Sequence, residues 1–294
     1  MNQKNDILFL INPISGIGKK NTIPKCIDKY LDKSKFNHSI LYTEFRKHGH
    51  LITKNNLTKY DVIVAIGGDG TVNEIGSALI NSNTKLGIIP TGSGNGLARH
   101  LKIPLNIKNA LKKINQYKSI TIDTATVNGI PFLGTCGFGF DAFIAKKFDE
   151  HPKRGFFTYA KLIRQEFKNY KSLTYRITHQ NKIEERKALM YCVANSSQFG
   201  NGFTISPKSD LQDGVFEHVF LDDFKLKDFL LIGKQFFTKQ INYSKFYHEF
   251  DAKDDVIIEV LNKEKVYFHI DGEPLEGDNT FKIKIVPQSL TIIC

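Results

Sequence analysis

Three glycine-rich segments in this sequence each follow an apolar run of residues directly. The one with the most chemistry is residues 67–70, Gly-Gly-Asp-Gly, which follows the β-branched run at residues 61–66 and precedes a helical pattern. A strand, a glycine turn and a helix N-terminus form a phosphate site, because glycine lets backbone N–H groups approach an anion and the helix dipole favours negative charge. We expect Thr71 to be the N-cap of that helix.

Asp69 is an unusual residue in such a turn. A carboxylate would repel a bound phosphate unless a cation lies between the two, so Asp69 indicates Mg²⁺ bound together with a nucleotide. The alternative is an ordinary strand-to-helix turn in which the aspartate makes an Asx hydrogen bond. Both interpretations are open at this point.

Two further segments repeat the pattern of strand, glycine loop and helix. Residues 12–19 follow the apolar run 7–11, and residues 90–96 follow the run 85–89. The first is not a Walker A loop, because the spacing to Lys19 is wrong, but its backbone could still surround phosphates. Ligands of parallel α/β sheets bind at the carboxyl ends of the strands, so we expect the three loops to converge on one edge.

Carboxylates stand out in the second half of the chain. Asp271 and Glu273 flank Gly272 at the end of an apolar run, and they would share one face if the strand continued. Paired carboxylates suit a general base that takes a proton from a hydroxyl, and the alternative is a solvent-facing turn. Asp210 and Asp213 predict either a hairpin turn or a small Mg²⁺ or Ca²⁺ site.

The element pattern divides the chain into two domains. Strands alternate with helices over residues 1–123, which predicts an α/β nucleotide-binding domain. Residues 124–281 consist of short apolar runs separated by turn residues, which predicts an antiparallel β-sandwich. Within it, residues 134–141 indicate a glycine turn that ends in a helix-capping acid. Helical inserts are expected at residues 156–170 and 226–237; the first is basic and amphipathic, so it packs on the domain or lies on an anionic membrane.

Composition limits the class of protein. The formal net charge of +11 suits nucleotide phosphate, nucleic acid or an anionic membrane, and equally a lysine-rich surface. The four cysteines lack metal-ligand spacing, which indicates free thiols in a reducing compartment. The first apolar run is too short for a signal peptide, and no run reaches about 18 apolar residues, so we expect neither a signal peptide nor a membrane span. We expect a cytoplasmic protein whose membrane contact is peripheral.

Six motifs, taken in order, resemble the diacylglycerol kinase catalytic-domain family, which includes bacterial soluble diacylglycerol kinases and the sphingosine and ceramide kinases. The resemblance covers nearly the whole chain. It implies an N-terminal α/β domain like that of phosphofructokinase and NAD kinase, a C-terminal β-sandwich, ATP bound between them, and a strand from residues 282–294 that could complete the first domain. The motifs are Asn12-Pro13-Ile14-Ser15-Gly16, Gly67-Gly68-Asp69-Gly70-Thr71-Val72-Asn73-Glu74, Pro90-Thr91-Gly92-Ser93-Gly94-Asn95, Gly137-Phe138-Gly139-Phe140-Asp141, Asp213-Gly214 and Asp271-Gly272-Glu273-Pro274.

The resemblance also implies roles for single residues. Glu273 would accept the proton of the acceptor hydroxyl, with Asp271 beside it, and Asp69 would reach the catalytic Mg²⁺ through water. A structural Mg²⁺ would be held by Asp213 together with backbone oxygens of Asp210 and Val215. The residues expected to contact ATP are Asn12, Pro13, Ser15, Gly16, Thr43, Gly67, Gly68, Asp69, Gly70, Thr71, Asn73 and Ser93.

The resemblance implies an ATP-dependent lipid kinase that phosphorylates a hydroxyl of a membrane lipid, such as diacylglycerol or a sphingoid base, at the inner membrane face. The first alternative is NAD kinase, which shares the Gly-Gly-Asp-Gly turn. The second is a catalytically silent nucleotide- or lipid-binding protein. No nucleic-acid module is recognisable, so no nucleic-acid partner is expected. Homodimers are common in the family, and one is compatible with this chain.

Overall fold

The computed structural model describes residues 4–15, 22–152 and 155–294. Gly16 and Lys19, both predicted near the nucleotide, lie outside the described residues. The chain divides into two compact units: Met1–Asp123 together with Gln288–Cys294, and Thr124–Pro287. Within the described ranges, no helix is both long enough and apolar enough to cross a lipid bilayer.

The first unit contains a parallel sheet with the strand order β2-β1-β3-β4. Phe9 of β1 lies opposite Ile40 of β2 on one side and Val64 of β3 on the other. All of β3 and residues 7–11 of β1 are buried, as expected when helices cover both faces of a parallel sheet. The strands are β1 (Asn5–Ile11), β2 (Phe36–Tyr42), β3 (Val62–Gly67) and β4 (Lys85–Pro90).

The described residues of this unit form the helices α1 (Ile23–Tyr30), α2 (His48–Lys54), α3 (Asp69–Leu79), α4 (Gly96–His100) and α5 (Ile107–Gln116). The prediction that Thr71 is the N-cap of α3 is wrong, because the helix begins two residues earlier. Gly68 is the N-cap, with extended backbone, and its carbonyl accepts the N–H of Val72 at 3.0 Å. Residue 69 is therefore already in the first turn of α3, and its carboxylate lies at the positive end of the helix.

Two strands have residues in both units. β5 (Ser119–Val127) begins in the first unit, and β18 (Thr280–Ile293) ends there. In the first unit the end of β18 runs parallel to β4, with Ile292 opposite Leu86. The two apolar runs at residues 281–286 and 290–293 are thus one long strand rather than two.

The second unit contains two groups of antiparallel strands. One is a six-stranded sheet, ordered β14-β13-β10-β7-β16-β17. Its strands are β7 (Thr135–Gly139), β10 (Met190–Ala194), β13 (Phe216–Leu221), β14 (Tyr247–Ala252), β16 (Lys265–Ile270) and β17 (Glu273–Asp278). The other group pairs β18 with β15 and β5, β15 with β8, β8 with β9, and β5 with β6. These further strands are β6 (Ile130–Phe132), β8 (Leu173–His179), β9 (Lys182–Ala188) and β15 (Val256–Val260).

An aromatic core lies between the two groups of strands. Phe138 of β7 contacts Phe281 of β18, with ring centroids 4.8 Å apart, and it also contacts Phe268 of β16. All three rings are buried. The predicted C-terminal antiparallel β domain is confirmed, because two layers of strands bury one shared apolar interior.

The prediction of a glycine turn at residues 134–141 is wrong. These residues form β7, which is buried throughout, followed by α6 (Phe140–Glu150). The glycines serve packing: a Cβ on Gly137 would lie 2.1 Å from Asp141 Oδ2. Nor does Asp141 cap the helix, because Gly139 occupies the N-cap position, with a φ of 99°.

The first helical insert is shorter than predicted, and the second has the predicted bounds. The first is α7 (Phe156–Glu166), and the second is a 3₁₀ turn, Leu226–Asp228, followed by α8 (Phe229–Phe237). Leu162 of α7 is buried in a cluster with residues of α6, which favours packing on the domain for that helix. The remaining elements are a 3₁₀ turn, Ile241–Tyr243, and the short pair β11 (Gln198–Gly200) and β12 (Phe203–Thr204).

Candidate nucleotide and catalytic sites

The carboxyl ends of the parallel strands present most of the predicted nucleotide residues along one edge of the first unit. Asn12 follows β1 and its N–H donates to the Ile66 carbonyl at 3.0 Å; Thr43 follows β2 and its N–H donates to the Ile11 carbonyl at 3.0 Å. In the order β2-β1-β3-β4, β2 lies on one side of β1 and β3 on the other, so the strand order reverses between β1 and β3 although all four strands are parallel. Ligands of open α/β sheets bind at such a reversal, outside the carboxyl ends of the strands.

Two of the three glycine loops touch backbone to backbone. A Cβ on Gly92 would lie 2.4 Å from the Cα of Gly68, and a Cβ on Gly67 would lie 2.3 Å from the Thr71 side chain. The Thr91 N–H also donates to the Gly67 carbonyl at 2.8 Å. Glycine at 67 and 92 is therefore required by space, and it lets the loops after β3 and β4 share one surface.

A hydrogen-bond network joins the first loop to the other two. Asn12 Nδ2 donates to Thr71 Oγ1 at 2.9 Å, and Asn12 Oδ1 accepts the N–H of Ile14 at 3.0 Å. The Ser15 hydroxyl lies 3.1 Å from the Thr91 hydroxyl. The structure thus brings Asn12, Ser15 and Thr71 together at the sheet edge, where their polar groups surround the start of α3.

Asp69 connects the loop after β3 to the start of α4. Its Oδ2 accepts the N–H of Asn95 at 2.8 Å and its Oδ1 accepts the N–H of Gly96 at 2.7 Å. These two donors stabilise the negative charge of the carboxylate. Each carboxylate oxygen has a second acceptor site, so the water-mediated contact to Mg²⁺ stays a prediction.

Asn95 is a structural residue that the sequence analysis did not single out. It is buried and left-handed, with a φ of 55°, its Oδ1 accepts the Gly92 N–H, and its Nδ2 donates to the Gly92 carbonyl. A signal was available, because asparagine is the non-glycine residue that best tolerates this backbone region within a glycine loop.

The other predicted nucleotide residues differ in exposure. Thr43 is buried, Ser93 is exposed, and Pro13, Gly70 and Asn73 are partly buried. Ser93 lies at the outer part of the loop after β4, where its side chain is open to solvent. The contacts of these five residues with a nucleotide stay predictions.

In the second unit, Asp271 and Glu273 lie on different parts of a hairpin. β16 ends at Ile270, Asp271 and Gly272 have φ values of 50° and 84°, and β17 begins at Glu273, opposite Ile270. Positive φ at both central residues is typical of a type I′ turn, for which Asp-Gly is a preferred sequence. The strand does not continue, so the expectation that the two carboxylates share one strand face is wrong.

The Asp271 carboxylate holds a neighbouring loop. It accepts the N–H groups of Leu133 at 2.9 Å, Gly134 at 2.7 Å and Thr135 at 2.9 Å, and the Asp271 N–H donates to the Thr135 carbonyl. Three backbone donors make Asp271 a positioning residue. The partly exposed Glu273 is the member of the pair that suits a proton acceptor.

A buried hydrogen-bonded pair lies behind the hairpin. His269 Nε2 is 3.0 Å from Asp141 Oδ2, and both side chains are buried. The Gly272 N–H lies 3.4 Å from His269 Nδ1, which makes Nδ1 the acceptor and places the proton on Nε2, facing Asp141. The pair connects the first turn of α6 to the hairpin turn. Its residues are 128 positions apart, so local sequence patterns carried no signal for it.

The predicted structural Mg²⁺ site is a loop with two Asx turns. Asp210 Oδ1 accepts the Gln212 N–H at 3.0 Å and Asp213 Oδ1 accepts the Val215 N–H at 2.9 Å. Nowhere in the described part of the chain do three His, Cys, Asp or Glu side chains form a metal-binding group. One carboxylate with two backbone carbonyls still suits Mg²⁺, which keeps several of its waters. The site therefore stays a prediction.

Negative charge surrounds this loop. Burial, with a smaller contribution from the charges of Asp213 and Asp251, raises the pKa of the Glu217 carboxyl to about 7, although the Ser209 hydroxyl donates to that carboxyl. A cation near Asp213 would meet an electrostatically favourable environment.

Comparison with known proteins agrees with this architecture. Residues 6–127 match the diacylglycerol kinase catalytic domain, and residues 134–294 match the YegS C-terminal NAD kinase beta sandwich-like domain. The Bacillus subtilis protein YtlR, whose name describes it as a lipid kinase, is 27% identical to this chain over an alignment that covers 97% of this chain and 98% of YtlR. The diacylglycerol kinase of Staphylococcus haemolyticus is 28% identical over 75% of this chain and 68% of its own.

Solved structures share the fold. A diacylglycerol kinase structure from Bacillus anthracis has a TM-score of 0.76 at 23% identity and covers 100% of this chain and 98% of its own. An Archaeoglobus fulgidus NAD kinase solved with ATP has a TM-score of 0.54 at 12% identity, covering 98% of this chain and 93% of its own. The fold thus defines a class of proteins that join an N-terminal α/β domain to a C-terminal antiparallel β domain, as the diacylglycerol kinase and NAD kinase structures do. Within that class, the chain belongs to the family of diacylglycerol kinases and YegS-like lipid kinases.

Proposed function

We propose that this protein is an ATP-dependent lipid kinase that transfers the γ-phosphoryl group of ATP to a hydroxyl of a membrane lipid, such as diacylglycerol or a sphingoid base. The observation that carries the proposal is the contact between the glycine loops after β3 and β4, fixed by Asp69 on the N–H groups of Asn95 and Gly96. This surface combines approachable backbone with a helix N-terminus, which suits a polyphosphate.

Phosphoryl transfer depends on positioning and on neutralising negative charge that spreads over the transferred group. Backbone N–H groups of the glycine loops would hold the phosphates, while Asn12 and Thr71 keep the loops in register. Mg²⁺, when bound, would supply further positive charge, with Asp69 the residue to reach it through water.

Glu273 would act on the acceptor. Its carboxylate takes the proton of the lipid hydroxyl as the hydroxyl oxygen forms a bond to the γ-phosphorus. The bond between that phosphorus and the bridging oxygen breaks, and ADP leaves. Asp271 contributes by fixing the hairpin turn that presents Glu273. We further propose that the reaction takes place at the inner face of the cytoplasmic membrane, where a peripheral enzyme meets its lipid.

The test is transfer of labelled γ-phosphate from ATP and Mg²⁺ to lipids in mixed micelles. The panel is diacylglycerol, monoacylglycerol, sphingosine, ceramide and phosphatidylglycerol, with NAD as a comparison acceptor. Glu273→Gln should abolish the labelled lipid, while Glu276→Gln, an exposed carboxylate on the same strand, should retain it. Label on NAD alone would replace the lipid by NAD, and ATP binding without transfer to any acceptor would indicate a binding protein.

A further inference from the structure

The second unit exposes apolar side chains around α8. Leu230 is 84% exposed and Tyr243 is 79% exposed, and Leu226, Leu231 and Phe237 are exposed as well. We refer to these five residues, with Lys225, Lys227, Lys234, Lys239 and Lys245, as the α8 surface. On the helix, positions 230, 234 and 237 follow the spacing of one face. Exposed apolar groups collected in this way are typical of an interaction site.

Packing of the domain accounts for only one side of α8. Ile232 and Phe236 are buried in an apolar cluster, and Phe236 stacks on Phe203 with ring centroids 4.0 Å apart. These two residues attach the helix, and Phe229 and Phe237 add edge-on contacts with Phe167 and Phe203, with ring centroids 5.4 Å apart in each pair. Leu230, on the opposite side, makes no contribution to that cluster. A helix that is apolar on both sides while one side faces solvent needs a second apolar environment.

Charged side chains within residues 224–246 are mostly lysines, and the acids Asp222 and Asp223 come directly before this segment. Asp222 is paired with Arg186 at 3.0 Å. All five lysines of the α8 surface are exposed, and within residues 224–246 the only acidic residue is Asp228. Asp228 accepts the N–H of Lys225 at 3.3 Å and so belongs to the 3₁₀ turn. Exposed leucine and aromatic side chains surrounded by lysine match the boundary of an anionic bilayer, where apolar groups insert and ammonium groups contact lipid phosphates.

A second copy of the chain is a poorer match. In a two-fold contact each copy presents the same surface, so the lysines of one copy would face those of the other. Repulsion between like charges would oppose that contact, whereas it is absent against a negatively charged membrane.

The basic helix α7 is the other candidate for membrane contact. Phe157 is 88% exposed there, but Leu162 is buried and Tyr159 and Ile163 pack against the same cluster. Its apolar stripe is thus already covered by the domain. We therefore infer that the α8 surface docks the enzyme on an anionic lipid bilayer. The inference rests on the proposed function, because docking would bring a lipid kinase to its substrate. Binding to vesicles can nevertheless be measured without any phosphoryl transfer.

The test is co-sedimentation of the full chain with vesicles of equimolar phosphatidylglycerol and phosphatidylcholine, and with vesicles of phosphatidylcholine alone. The protein should bind the anionic vesicles, and binding should weaken in about 1 M NaCl, where the Debye length is about 3 Å. The double variant Leu230→Glu/Leu231→Glu should lose at least about tenfold in partitioning. Lys227→Glu/Lys234→Glu should reduce binding to the anionic vesicles selectively.

Matched controls separate the outcomes. Ile183→Glu changes an exposed apolar residue on β9 (68% exposed) and should bind as the parent does; equal melting temperatures show that the variants are folded. Unchanged binding by the double variant, or loss caused by Phe157→Glu alone, would overturn the inference. So would a double variant that dissociates a dimer yet binds vesicles normally, which would assign the surface to a second copy.

A water-soluble short-chain acceptor separates this inference from the proposed function. The double variant should phosphorylate it at the parent rate if only docking is impaired. If the parent binds anionic vesicles through α8 but phosphorylates no acceptor, the docking stands and the proposed function fails. If it phosphorylates the soluble acceptor but does not bind vesicles, the proposed function stands and the docking fails.

Discussion

Asp69 and Gly96 lie 27 positions apart in the chain, and a hydrogen bond of 2.7 Å from the Gly96 N–H to the Asp69 carboxylate joins them. With the neighbouring bond from Asn95, it fixes the start of α3 against the start of α4. Asp69 is therefore one of the side chains that hold the loops at the nucleotide edge, and its charge is also suited to metal chemistry. Mutation can separate the two roles.

Asp69→Ala should destabilise the protein by about 1–3 kcal/mol, because it leaves two partly buried N–H groups without their carboxylate. Asp69→Asn keeps one acceptor oxygen and should destabilise the protein less than Asp69→Ala does. The measurement is the urea midpoint together with ATP binding by calorimetry. If Asp69→Asn retains stability and ATP affinity but loses phosphoryl transfer, the carboxylate acts on the metal; equal losses in all three would assign it a structural role only.

Gly92→Ala should weaken ATP binding at least about tenfold, because its Cβ would meet the Gly68 backbone at 2.4 Å and force the loops apart. Gly233→Ala is the matched control. It lies on α8 with open space around its Cβ position, and alanine there should raise stability by about 0.5–1 kcal/mol. Equal ATP affinity in the parent and Gly92→Ala would show that the loop contact does not shape the nucleotide site.

Glu273→Gln and Asp271→Asn should differ in what they impair. The first removes the proton acceptor and should lower kcat about 10²–10⁴-fold, with little effect on KM or stability. The second disturbs three backbone hydrogen bonds and should lower the free energy of unfolding by about 1–3 kcal/mol. Steady-state kinetics and denaturant melts distinguish the two variants. If Glu273→Gln is destabilised but has normal kcat, Glu273 is a positioning residue and not the proton acceptor.

The parts of the fold that could be predicted are those with local signals. Residues 7–11 and 61–66 are continuous apolar runs, and they form buried parallel strands because such sheets are covered on both faces. The Asp271-Gly272 turn also had a local signal, because Asp-Gly is a preferred sequence of type I′ turns, and a turn was one of the two interpretations open for these residues. The convergence of three loops followed from strand alternation alone.

The parts that could not be predicted depend on distant contacts. The glycines of β7 resemble those of a turn, yet Gly137 is small because Asp141 and His269 meet beside it. The Asp69 bonds to Asn95 and Gly96 likewise depend on how two helices start in space. Neither contact leaves a periodic trace in the sequence, so only the folded chain reveals that these residues position the candidate sites.

His218 should make the protein less stable in acid. Burial, with a smaller contribution from His179, lowers the pKa of its imidazole from 6.5 to about 3, and the Tyr191 hydroxyl lies 2.6 Å from its Nδ1. Because the folded-state pKa is below the unfolded value, this stability is complete above about pH 6.5 and is lost as the pH falls towards 3. At pH 4.5 the loss should reach about 2–3 kcal/mol.

His218→Gln should flatten the unfolding free energy between pH 6.5 and 3.5. His38→Gln, at a partly exposed position on β2, should retain the parental slope. Urea melts at several pH values provide the measurement, and a parental slope in His218→Gln would mean that other groups cause the acid sensitivity.

Asp213→Asn should abolish binding of Mg²⁺ at the predicted structural site, whereas Asp210→Asn should not. Both asparagines keep the oxygen that closes their Asx turn, and both remove one negative charge from the same loop. Only Asp213 is predicted to bind the ion through its carboxylate. Asp210 would contribute a backbone oxygen, which the substitution leaves in place.

The measurement is the melting temperature with and without MgCl₂. An ion that binds the folded state alone stabilises the parent, and this stabilisation should persist in Asp210→Asn and disappear in Asp213→Asn. A parent that Mg²⁺ does not stabilise, or equal stabilisation in both variants, would leave this loop a plain pair of Asx turns.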